Sequence, residues 1–135
     1  MPVESDDELR EILSLETIAV VGCSSTPGKA AHEIPRYMRD RGYDIVPVNP
    51  TAGTVLGRRA YESLSAVPEG VDIVDVFRPG EEVGGIVDEA LDRDDAGVIW
   101  TQLGIRDDEA ARRAERAGRR VVQDRCLKVE HQRLV

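Results

Sequence analysis

Cysteine, lysine and histidine are all scarce in this chain of 135 residues. The two cysteines, Cys23 and Cys126, stand about a hundred positions apart, with no paired CxxC and no His/Cys cluster at ligand spacing. That argues against a disulfide framework and against a structural zinc site. The two histidines, His32 and His131, offer little for a catalytic triad or an acid/base pair, which needs an imidazole oriented by a partner in a crevice. Long apolar runs are also missing, and no window approaches the ~20 residues that span a bilayer. The N-terminus, MPVESDDELREIL, is acidic and lacks the basic start of a leader, so a soluble, cytoplasmic protein without membrane association is expected. Only Lys29 and Lys128 among the 18 basic residues are lysine, and 26 acidic residues bring the net charge to -8. That balance argues against a general nucleic-acid binder, which needs a basic face to replace phosphate counterions. The arginine bias fits either a GC-rich genome or an acidic surface suited to high salt. Any anionic ligand must meet a local basic patch.

The length favours one domain over 1–135. Ser5 and Glu8 have capping-box spacing and open a helix through about Leu15, with Leu9, Ile12 and Leu13 on one face. TIAVVG, DIVPVNP, VDIVDVF, GVIWTQ and RVVQ are compact apolar runs of the kind buried on both faces of a parallel sheet. Helical patterns separate them: Ile34, Tyr37 and Met38 up to Gly42, with Pro35 tolerable in a first turn; then a segment from Pro79, placed at the first helical position, to about Arg93. DDEAARRAERAG, with alternating charge and three inward alanines, forms the next, and CLKVEHQRL a terminal one. Between Thr51 and Pro68 the pattern is irregular, with at most one short edge strand in TVLGRRAY and a helical turn in ESLSAV. Alternating strands and helices imply right-handed crossovers. The expected fold is α/β and Rossmann-like: a doubly wound, mostly parallel sheet of five to six strands, with helices on both faces.

In such sheets a ligand sits beyond the carboxyl ends of the strands, where strand order reverses. The stretch VVGCSSTPGK occupies that place after the first strand, and its turn at Gly22, the hydroxyls of Ser24 and Ser25, and Lys29 before a helix N-terminus suit a phosphate. It departs from two familiar patterns. The dinucleotide fingerprint requires a second glycine and an acidic residue at the end of the second strand, where Val48 and Asn49 stand, so NAD is disfavoured. A Walker loop is excluded by its spacing and by Ala30 after Lys29.

In order along the chain, VGCSSTPGK, YMRDRGYDIVPVNP, YESL, VDIVDVFRP, VIWTQLGI and VVQDRCLK closely resemble the small bacterial and archaeal CoA-binding proteins, single Rossmann-like domains similar to the N-terminal domain of the succinyl-CoA synthetase α subunit. The resemblance runs from about Leu9 to His131. It implies a small-molecule nucleotide ligand, coenzyme A or an acyl-CoA, held without ligase activity, because the phosphorylated histidine of the synthetase belongs to a domain that does not match here. By the same resemblance Gly22, Cys23, Ser24, Ser25 and Lys29 form the phosphate loop, and Val48, Asn49 and Pro50 line the next strand's exit. Phe77, Arg78 and Pro79 flank the adenine or pantetheine, and Trp100, Thr101 and Gln102 border the pantetheine path.

CoA carries about four negative charges, so the cations must be concentrated locally against a net -8. The candidates are Lys29, Arg78, Arg36 and the Arg58, Arg59 pair; solvated positions are the competing reading for the last three. Cys23, near a helix N-terminus, raises an enzyme alternative, thiol exchange with CoA, beside an NAD(P) oxidoreductase. A small buried residue in a tight turn is the commoner explanation for it. Asp72 and Asp75, three apart on one strand, face opposite sides and are poor partners. Whether the chain forms a homodimer or serves a protein partner is left open.

Overall fold

The structure is a computed structural model and describes residues 2–135. Five parallel strands form the sheet: β1 (Thr17–Val21), β2 (Asp44–Val48), β5 (Ile73–Val76), β6 (Val98–Thr101) and β7 (Arg120–Val122), in the spatial order β2-β1-β5-β6-β7. Between β2 and β5 lie a two-stranded hairpin, β3 (Thr54–Val55) with β4 (Arg58–Arg59), and a short 3-10 turn at Leu64–Ala66. Helices α1 (Asp6–Leu13), α2 (Ala30–Asp40), α3 (Gly80–Leu91), α4 (Asp108–Arg116) and α5 (Leu127–Leu134) cover both faces.

Side chains alternate across each strand, so the sheet divides two cores. Ala19, Val46, Val74, Val76 and Ile99 meet α3, α4 and Leu64 on one face. Ile18, Val20, Ile45, Ile73 and Trp100 meet α1, α2 and α5 on the other. The expected doubly wound α/β sheet is present, with five strands.

Local chemistry explains the boundaries. The Ser5 hydroxyl accepts from the Glu8 amide at 3.2 Å and caps α1 behind the acidic residues of its first turn. That helix stops short of Leu15 because the Ser14 hydroxyl turns back onto the Glu11 carbonyl. Pro47 lies inside β2: β2 is the edge of the sheet, and the carbonyl of Pro47 faces outward to the Tyr61 amide, the side on which its missing N–H costs no ladder bond. Pro79 is the residue before α3, not its first turn. In place of a single edge strand, the irregular stretch holds a hairpin turning at Leu56 and Gly57, both with positive φ. A primed turn demands that geometry, and leucine is an uninformative residue to signal it.

Candidate functional site

The order reverses between β1 and β5: the chain leaves β1 toward β2 on one side and leaves β5 toward β6 on the other. Their exit loops meet at Gly22, which lets the Phe77–Arg78 backbone come close before they diverge above the sheet. Its φ is +90°, and a Cβ there would lie 2.8 Å from Arg78 Cδ and 3.0 Å from the Phe77 carbonyl oxygen. Beside it opens a cleft of about 430 Å³, walled by Gly22, Val48, Asn49, Pro50, Ser63, Arg78 and Ile86, with Glu62, Glu82 and Glu89 also on its lining.

The loop from Cys23 to Lys29 is fastened to α2 by a device that depends on Pro35. This proline is the sixth residue of α2, beyond the first turn expected for it, and it has no N–H to give the Ala31 carbonyl. That carbonyl instead accepts the Ser24 amide at 2.9 Å. The Ser24 carbonyl lies 2.8 Å from His32 Nδ1, its hydroxyl accepts from the Thr26 amide at 3.0 Å, and the Gly28 amide donates to the Glu33 carboxylate at 3.1 Å. Asn49 fastens the loop from the other strand. Its amide nitrogen donates to the Cys23 carbonyl at 2.9 Å while its oxygen accepts from the Thr51 amide and hydroxyl and the Ala52 amide.

Of the residues singled out in the sequence, Gly22, Val48, Asn49, Pro50 and Arg78 come together in the cleft. Ser25 and Lys29 are exposed beside the loop, outside the cleft lining, and Ser24 is half-buried. Phe77 turns toward the core under α1, α2 and α5, and Pro79 is exposed at the head of α3. Trp100, Thr101 and Gln102 have buried side chains. Trp100 Nε1 donates to the Arg125 carbonyl at 2.8 Å and the Thr101 hydroxyl donates to the Ile105 carbonyl at 2.7 Å. Gln102 donates to Asp75 Oδ1 at 2.7 Å and accepts from the Leu127 amide at 3.3 Å. These three tie the exit of β6 to the exit of β7 and to α5.

The charges are arranged for exchange. Arg78 grips Glu82 with two bonds, Nη2 to Oε2 at 2.7 Å and Nε to Oε1 at 3.1 Å, which raises the guanidinium pKa and lowers that of the carboxyl. Both are about half exposed, so the pair contributes little and a phosphate can replace the carboxylate at small cost. Lys29 forms no ion pair among the described residues. Cys23 is fully buried; burial, with the nearby Asp75 carboxyl in second place, pushes its thiol up to about 12. It is a poor nucleophile near neutral pH.

Asp75 is fully buried beneath this loop, and its Oδ2 has no hydrogen-bond partner among the described residues. Burial raises the carboxyl to about 7, the Gln102 bond opposing only in part. The sequence signal is IVDVF, a strand in which this acid is the one residue that is not apolar.

Residues 16–132 match the family model described as "CoA binding domain". The uncharacterized protein YneT of Bacillus subtilis is 42% identical over 128 residues, which cover 94% of each chain. A solved Thermus thermophilus protein is 44% identical, with a TM-score of 0.92, 98% of this chain and 100% of that one being covered. The ADP-forming acetate–CoA ligase II of Archaeoglobus fulgidus is 29% identical over 100 residues, 73% of this chain but only 15% of that enzyme.

Proposed function

The chain belongs to the family of CoA-binding domains, and from that membership we propose that it holds coenzyme A or an acyl-CoA at the carboxyl ends of its parallel strands, without a catalytic centre of its own. The observation that carries the reading is the cleft at the β1–β5 parting, which Gly22 lines and where Arg78 stands ready to change partners. The residues fit a polyanionic adenine nucleotide. The pyrophosphate belongs over the Gly22 loop toward Lys29 and the N-terminus of α2, and the adenosine belongs in the cleft against Val48 and Ile86. Glu62, Glu82 and Glu89 oppose anions there, so affinity depends on the few cations and weakens with salt.

The enzyme alternatives find less support. Thiol exchange requires an accessible thiolate, and Cys23 is buried and inert. An NAD oxidoreductase of the dinucleotide type requires a carboxylate for the ribose at the end of β2, where Asn49 is already spent on backbone groups, and for NAD and NADP alike the loop after β1 lacks the second glycine of the fingerprint. Titration calorimetry with CoA, acetyl-CoA, NAD, NADP and ATP, at low and high salt, tests the reading with wild type and Lys29→Ala. Saturable CoA binding, weaker in the variant, with NAD silent, is expected. NAD binding without CoA binding would overturn it.

A further inference from the structure

The neighbouring arginines of β4 have opposite fates. Arg58 is committed: it pairs with Asp44, pairs with Glu69 at 3.0 Å and donates to the Ile45 carbonyl. Arg59, pointing to the other face of the strand, is exposed and forms no ion pair among the described residues. Its guanidinium carbon lies 5.9 Å from the centre of the Tyr61 ring, near the limit of a cation–π contact. It lines a groove of about 530 Å³ with Asn49, Pro50, Ala60, Tyr61 and Glu62. Asn49, Pro50 and Glu62 also line the switch-point cleft, so groove and cleft adjoin along the exit of β2.

In nucleotide-binding sheets of this kind, the adenosine ribose lies beside the end of the second strand. A carboxylate there receives a free ribose hydroxyl, whereas an arginine receives a ribose phosphate. Here the side chain at that position is Asn49, and its amide already serves Cys23, Thr51 and Ala52. The uncommitted side chain beside it is a guanidinium.

We propose that Arg59 is a specificity-determining residue, pairing with the monoester phosphate on the ribose of the bound nucleotide and so selecting ribose-phosphorylated ligands over those with a free ribose. The inference rests on the CoA reading above. It explains why two adjacent arginines are needed on a two-residue strand: one anchors the hairpin, the other faces the ligand. A phosphomonoester carries up to two negative charges, and the planar guanidinium meets it with two parallel bonds. Glu62 on the same groove makes the cation necessary, since without Arg59 the entering phosphate meets only a carboxylate there.

The test compares CoA with dephospho-CoA, which lacks only the ribose phosphate, in calorimetric titrations of wild type, Arg59→Ala and Arg59→Lys. Wild type is expected to favour CoA by about tenfold or more, and Arg59→Ala to lose that preference while its dephospho-CoA affinity stays within about twofold. Arg59→Lys recovers part of the preference, as a point charge without the fork. Equal wild-type affinity for the two nucleotides, or equal losses for both in Arg59→Ala, would overturn the inference and leave the CoA reading intact. If neither nucleotide binds wild type, the CoA reading itself fails and takes this inference with it. Melting curves confirm that the variants fold, as expected for an exposed side chain with no ion pair among the described residues.

Discussion

Replacing Asp75 with asparagine is expected to make the protein's stability less dependent on pH and greater at pH 8. The carboxyl lies in the middle strand of the sheet, fully buried, with Oδ1 held by Gln102 and Oδ2 without a partner. Burial lifts it from an ordinary 3.8 to about 7. The unfolded chain releases this proton near 3.8 while the native protein keeps it to about 7, so across that window the native state binds more protons. Stability from this group is therefore full below 3.8, falls as pH rises, and is lost above about 7. At 1.36 kcal/mol per pH unit the whole loss is on the order of 4 kcal/mol, of which about 2–3 kcal/mol falls between pH 5 and pH 8. Asparagine is isosteric, keeps the acceptor for Gln102 and cannot ionise. Urea unfolding of wild type and Asp75→Asn at pH 5 and pH 8 measures the effect. The difference between the two proteins should move by about 2–3 kcal/mol in favour of the variant on going to pH 8. His131, whose buried ring has a lowered pKa, acts in the opposite direction as pH falls below about 6.5, and the difference cancels it. Parallel pH profiles for the two proteins would refute the reasoning, showing that Asp75 is ionised and solvated in the native state.

Two further substitutions address the loop. Gly22→Ala places a methyl against Arg78 Cδ and the Phe77 carbonyl at a φ of +90°, which should cost about 1–3 kcal/mol in chemical unfolding and weaken CoA binding; an unchanged Tm would mean that the exit loops yield easily. Pro35→Ala restores an N–H that can claim the Ala31 carbonyl, now the acceptor of the Ser24 amide. Global stability should hold or rise, while hydrogen exchange at Ser24 accelerates and CoA affinity falls. Unchanged protection of the Ser24 amide would show that the carbonyl serves both donors.

The candidate cleft was partly legible in the sequence. The turn at Gly22 follows from where the first strand ends in a parallel sheet, the exits at Val48–Pro50 and Arg78 follow from the family resemblance, and the structure brings those residues to one cleft. Trp100, Thr101 and Gln102 also end a strand, but their side chains turn inward to carbonyls, an amide and Asp75. A strand end marks a position, and neighbours decide which way its side chains are used. Pro35 reads as a local constraint on one helix, yet the carbonyl it frees is filled from the preceding loop.

Periodicity, caps and breakers are local, and they determined by themselves the order of strands and helices, the parallel sheet and the place of the loop. Tertiary structure alone decided the commitments of individual groups. Arg58 is spent on Asp44 and Glu69 while Arg59 has no ion pair among the described residues, Cys23 is buried and inert, and Asp75 lies in a core that can satisfy only half of it. Those outcomes depend on partners distant in the chain, such as Gln102 for Asp75 and Asn49 for the Cys23 carbonyl, and on how much water the packing removes.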